Sequence, residues 1–156
     1  MTNKILLLVT MLSYTIIVSQ PFMYLIALKH VQINLGANSY IEIRKLLDVA
    51  MRNNYRYVLY IAVCANLSLL LVNVKNPGGI IFITATIAFI ALIAEILLTL
   101  KGSLPINDVI NKWSADNCPV DWTEYRRSWF RIFRYRELVS IAGFVSLLTG
   151  IVFKNS

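Results

Sequence analysis

Along the chain, long apolar blocks alternate with polar stretches. Four blocks approach the ~20 mostly apolar residues that a membrane-spanning helix needs. They run from about Ile5 to Leu28, Tyr57 to Val74, Ile80 to Leu100 and Leu138 to Phe153. The fourth is short and is expected to continue a helix that begins before the membrane. Lys75-Asn76-Pro77-Gly78-Gly79 separates the second and third blocks, and its proline and paired glycines predict a tight reversal. The other two connectors are long, and each carries a helical pattern of its own. The pattern predicts an all-α protein: a single integral membrane domain over residues 1–156, built as a four-transmembrane-helix bundle with interfacial helices on one side. The first block is read as a retained span, because its apolar run is too long for a signal peptide and Ser19-Gln20-Pro21 is a poor cleavage site.

Within the spans, polar residues recur at helical spacing. Positions 84, 88, 91, 95 and 99 share one face and read Thr, Ala, Ala, Glu, Thr. Ser13, Gln20 and Tyr24 share a face of the first span, where Pro21 removes a backbone hydrogen bond and frees the carbonyl of Ile17. Asn66 and Asn73 lie one heptad apart in the second span. Gly143, Ser146 and Gly150 in the fourth permit close backbone approach. Such residues face other helices or a cavity, because lipid cannot satisfy them. Glu95 stands apart, since an ionisable group in hydrocarbon is a functional candidate by default.

The connectors add amphipathic segments. Ser39-Tyr40-Ile41-Glu42 has the capping-box pattern, which predicts a separate interfacial helix from Tyr40 to about Arg52. Tyr40, Ile43, Leu47, Ala50 and Met51 would form its apolar face, with Lys45, Asp48 and Arg52 facing away and Arg44 spaced to pair with Asp48. In the second connector a short helix is predicted from Ile106 to Trp113. After the turn at Cys118–Trp122, Asp121 is placed as N-cap of a helix running into the fourth span. There Trp122, Tyr125, Trp129, Ile132, Phe133 and Arg136 fall on one stripe. Arg127, Arg131 and Arg134 fall on another, as expected of a face against lipid headgroups. An arginine within an aromatic stripe must meet a carboxylate or an anionic ligand, and Glu95, Glu42 and Asp48 are the carboxylates to hand.

Composition sharpens this picture. Hydrophobic residues are 58% of the chain and charged residues 15%, against roughly 45–50% and ~25% in soluble globular proteins. Mean hydropathy is +0.65. A soluble enzyme, a disordered chain and a fibrous protein are all excluded. The net charge is +7, but the cations sit between the apolar blocks, so the expected partners are the bilayer and its anionic headgroups rather than nucleic acid. The two long connectors hold twelve of the fifteen Lys and Arg. The positive-inside rule therefore predicts both in the cytoplasm and both termini outside, as in a bacterial inner-membrane protein. One histidine, two distant cysteines and no glycine-rich nucleotide motif predict no metal site and point to no particular cofactor.

The run Leu104-Pro105-Ile106-Asn107, followed by Trp113, Pro119, Asp121-Trp122, Arg126, Trp129 and Arg136, resembles the anthrone-oxygenase-like family of small four-helix membrane proteins, most of whose members are known only as a domain of unknown function. The resemblance covers about a third of the chain, from Leu104 to about Phe144. It departs at Phe133, where the family has a histidine. It implies the four-helix fold and, more weakly, oxygenation of an anthrone-like aromatic. On that basis an enzyme is expected to act on a hydrophobic aromatic or quinone-like molecule at the cytoplasmic mouth. Asn107 would bond a substrate oxygen, Arg126 and Arg136 would stabilise a phenolate or enolate, and Glu95 would accept a proton. Gln20, Tyr24, Asn66, Trp113, Trp122 and Trp129 would line the site. The alternative is a non-enzymatic scaffold or accessory subunit that holds anionic lipid or a partner helix. A transporter fits less well, because four spans are few and no internal repeat is evident.

Overall fold

A computed structural model describes residues 2–114 and 116–154. The described chain is helical, with these elements: α1 (Thr2–Met23), a π-helical segment π1 (Tyr24–Leu28), α2 (Lys29–Asn34), α3 (Ala37–Asn73), α4 (Ile80–Leu98), a second π-helical segment π2 (Thr99–Ser103), α5 (Leu104–Ile110) and α6 (Trp122–Val152). The elements join end to end into four rods, each long and apolar enough to cross a membrane: Asn3–Asn34, Ala37–Asn73, Ile80–Ile110 and Trp122–Val152. At 1.5 Å per residue, the 37 residues of α3 extend about 55 Å, well beyond a hydrocarbon core of about 30 Å.

Three sequence expectations change here. The segment over Tyr40–Arg52 is no separate interfacial helix but the first half of α3. The N-cap of α3 is Gly36, and Ser39 sits inside the first turn, so the capping box does not start the helix. The inward face of that half is the polar one: Arg44 and Asp48 are each 4% exposed, whereas Leu46 is 65% exposed and Val49 59%. Leu47 and Ala50, expected to face inward, are exposed. The amphipathic pattern is therefore inverted relative to a helix lying on a membrane surface. Likewise, the predicted helix around Ile106 is joined to the third span through π2, with Pro105 in the first turn of α5, where its missing N–H costs little. Asp121 is at the N-cap of α6 but its side chain makes no capping bond.

The membrane half is held by close helix approach. α4 packs most extensively on α6. A Cβ on Gly143 would stand 2.8 Å from a ring carbon of Tyr14 and 3.0 Å from the Ala91 methyl, and one on Gly150 would collide with Thr84. Ser146 Oγ donates to the Thr84 carbonyl at 3.0 Å, and the Tyr14 hydroxyl donates to the Ala88 carbonyl. Without a hydrophobic drive between helices in lipid, such contacts determine which faces meet. Leu7, Ala62, Leu69, Ala85, Leu92 and Leu147 fill the core between them. Beyond this bundle, at the end opposite the Lys75–Gly79 turn, Tyr40, Ile41, Ile110 and Trp113 form a second small core. Arg126 braces it, donating to the carbonyls of Gln32 (3.3 Å) and Leu35 (3.0 Å) while its guanidinium lies 4.5 Å from the Trp122 ring. Those carbonyls lie around the end of α2, where a cation is electrostatically favoured.

Candidate functional site

Between the membrane bundle and this second core lies a layer of buried charge. The stripe on α4 faces inward and ends at Glu95, which is 2% exposed. Arg136 of α6 meets it in a forked pair: Nε lies 3.1 and 3.0 Å from the two carboxylate oxygens, and Nη2 lies 2.8 Å from Oε1. Arg136 Nη1 also donates to Ser103 Oγ at 3.1 Å. Two-pronged geometry of this kind offsets the desolvation that makes buried ion pairs costly.

A second network lies beside the first. Arg44 Nη2 donates to Asn107 Oδ1 at 2.9 Å, and Asn107 Nδ2 donates to Asp48 Oδ1 at 2.7 Å. Asp48 Oδ2 accepts from Arg52 Nε and from Asn111 Nδ2, both at 2.8 Å. Arg52 reaches on to Asp108 at 2.6 Å. The i,i+4 pair on α3 is thus Asp48–Arg52, not Arg44–Asp48. The Asn107 amide stands between Arg44 and Asp48, its oxygen toward the cation and its nitrogen toward the anion.

An aromatic stack joins the two networks. Trp129 and Phe133 are parallel within 13° at 4.8 Å between ring centres. Tyr24 lies 4.3 Å from Phe133, and its hydroxyl accepts from Gln32 Nε2 at 3.0 Å and Arg44 Nη1 at 3.4 Å. The Arg44 guanidinium covers the Trp129 ring at 3.8 Å from its centre, a cation–π contact. Both π-helical segments border this layer: π1 begins with Tyr24, and π2 supplies Thr99 and Ser103. Single-turn π segments of this kind frequently sit at functional sites.

A pocket of ≈ 200 Å³ opens onto the layer. Its walls are Leu47, Met51, Tyr55 and Leu59 of α3 with Leu100 of π2 and Leu104 of α5. Its polar lining comes from Gln20, Arg44, Asp48, Arg52, Arg56, Thr99, Ser103, Asn107 and Arg136, and Trp129 closes one side. The structure therefore brings Gln20, Asn107, Trp129 and Arg136 to one cavity, with Glu95 behind Arg136. It does not bring Arg126, Trp113 or Trp122 there. Arg126 is committed to the brace described above, Trp113 packs edge-on against Tyr125 at 5.0 Å, and Trp122 lies beside Tyr40. Asn66 is also elsewhere: it is fully buried in α3, and both of its amide atoms lack partners among the described residues. Tyr24 lies in the layer but not on the pocket surface. Arg127, Arg131 and Arg134 are exposed on the outer face of α6.

Sequence reasoning missed Arg44, Asp48 and Tyr55. The first two were assigned to a helix surface, and nothing in their spacing reveals that Asn107, 59 positions beyond Asp48, inserts between them. Phe133, where the resembling family has its histidine, is 1% exposed within the aromatic stack. His30 does not stand in for it: it is exposed, beside Asn34. Comparison with protein-family models, curated proteins and solved structures gives no match to this chain.

Proposed function

We propose that this integral membrane protein binds a hydrophobic aromatic or quinone-like molecule in the pocket and acts on it as an oxidoreductase or oxygenase. The observation that carries this reading is the meeting, in one cavity, of apolar walls from α3 and α5 with Gln20, Asn107 and Arg136 from three different rods. A few convergent polar groups on an apolar wall suit a ligand that is mostly hydrocarbon and carries one or two oxygens. Asn107 has a second amide hydrogen beyond the one given to Asp48, and that hydrogen would orient a substrate oxygen. Arg136 would stabilise negative charge developing on the substrate. Glu95, its partner, is the carboxylate nearest to that charge and would take up a proton. By the positive-inside rule the pocket faces the cytoplasmic side of a bacterial inner membrane.

A specific observation favours the alternative, a scaffold or accessory subunit. Glu95 and Asp48, the carboxylates beside the pocket, are both held in ion pairs, which favours a site that holds a molecule over one that moves protons. The exposed Arg127, Arg131 and Arg134 would then rest against anionic headgroups.

Native mass spectrometry of protein released from lipid nanodiscs, followed by turnover assays on what it carries, separates the two. Oxidation of a bound aromatic, abolished in Glu95→Gln, supports the enzyme. A stoichiometric protein partner with no bound small molecule supports the scaffold.

A further inference from the structure

Four arginines line the pocket, and their charges are not balanced alike. Arg136 is neutralised by Glu95, and Arg52 by Asp48 and Asp108. Arg56 is exposed and donates to the Tyr57 hydroxyl. Arg44 is different. It is 4% exposed, it keeps its charge because guanidinium does not deprotonate in proteins, and its contacts are neutral: the Asn107 oxygen, the Tyr24 hydroxyl and the face of Trp129. Among the described residues no carboxylate lies in ion-pair range of it. Asp48 comes nearest, through Asn107, and is already shared with Arg52. A buried cation with only neutral partners is costly, and a counter-ion relieves that cost.

The unpartnered atoms point the same way. Arg44 Nε and Trp129 Nε1 are buried donors with no acceptor among the described residues, and both side chains line the pocket. Trp129 lies against the guanidinium, with Phe133 stacked on it, so both donors are held before any ligand arrives. Preorganisation of this kind lowers the entropy lost on binding.

We propose that Arg44, stacked on Trp129, is the seat for an oxyanion carried by a hydrophobic ligand, and that Arg136 is not. This rests on the small-molecule reading of the pocket and specifies its ligand: an amphipath with a carboxylate, enolate, phenolate or phosphate head. That head belongs either to a free molecule or to a lipid of the surrounding leaflet.

The test uses the full chain in phosphatidylcholine nanodiscs, titrated calorimetrically with 2-hydroxy-1,4-naphthoquinone, an enolate at neutral pH, and with neutral 1,4-naphthoquinone. The two probes share one carbon skeleton. A second arm uses nanodiscs of equal phosphatidylglycerol and phosphatidylcholine, with native mass spectrometry of the retained lipid. The expected result is a preference of about tenfold or more for the enolate, or selective retention of phosphatidylglycerol, since charge-assisted hydrogen bonds outweigh neutral ones. Either preference should vanish in Arg44→Gln, survive in part in Arg44→Lys and be untouched in Arg131→Gln. The enolate arm alone identifies a free ligand, and the phosphatidylglycerol arm identifies a headgroup. Equal binding of the two naphthoquinones without phosphatidylglycerol retention overturns the oxyanion seat while leaving the aromatic pocket standing. Phosphatidylglycerol retention with neither naphthoquinone bound upholds the seat and removes the quinone-like substrate. Because the wild-type comparison is decisive by itself, a variant that fails to fold does not shield the proposal. A preference that persists in a folded Arg44→Gln protein defeats it.

Discussion

Arg136 and Arg131 lie five positions apart on one helix and have opposite surroundings. Arg136 is buried against Glu95, whereas Arg131 is exposed on the outer face of α6. Arg136→Ala leaves Glu95 charged and unpaired, and removal of one partner from a buried pair typically costs about 3–5 kcal/mol. Thermal unfolding in detergent should show a large loss for Arg136→Ala. Arg131→Ala should shift stability by no more than about 0.5 kcal/mol. Equal, small effects would mean that the pair contributes little. The Asn107 bridge predicts non-additivity: Asp48→Asn and Asn107→Ala, made singly and together, should show a coupling of at least about 0.5 kcal/mol in a double-mutant cycle. The Arg136–Glu95 contact was half legible in the sequence, because an arginine in an aromatic stripe and a lone spanning carboxylate each need a partner. The Arg44–Asn107–Asp48 chain was not, because it joins residues of two connectors whose relative placement depends on packing of the whole bundle.

At the scale of the helices, hydropathy located all four spans and the small-residue stripes that join them. Gly143 and Gly150 do face Tyr14 and Thr84 at distances that leave no room for a side chain. Gly150→Val should therefore destabilise by about 1–3 kcal/mol through overpacking, while Leu148→Val, on the exposed face of the same helix, should change little. Both are read from melting temperatures of the purified proteins. Hydropathy did not reveal that α3 runs unbroken from Ala37 to Asn73. A period of 3.6 reports that a segment is amphipathic but not which side is buried, and here the buried side carries Arg44 and Asp48. Burial of a polar face is the reverse of what a surface helix does, and it marks the wall of a polar cavity. The two π segments left no trace either, since they differ from an α-helix by a shift in hydrogen-bond register and not by residue type.

Seen whole, the molecule is a bundle with a charged layer set between a membrane core and a smaller aromatic core. Asymmetry of Lys and Arg predicts that the end carrying Arg126 and Arg131 lies in the cytoplasm. In a background with Cys64 and Cys118 replaced by Ala, Glu124→Cys should react with an impermeant maleimide only in inverted vesicles, and Asn76→Cys only in right-side-out ones. The opposite labelling would reverse the orientation. The π segments carry a further consequence, for the lengths of chain that this molecule tolerates. Each holds one surplus residue per turn, so the helices on either side are phased independently. Deleting Ala27 or Leu100 would let the α-register close and swing the following helix by about 100°, carrying Gln32 away from Tyr24 in one case and Asn107 away from Asp48 in the other. Insertions and deletions there should be lethal to the charged layer, while the turn at Asn76, which lies at the far end, should absorb them.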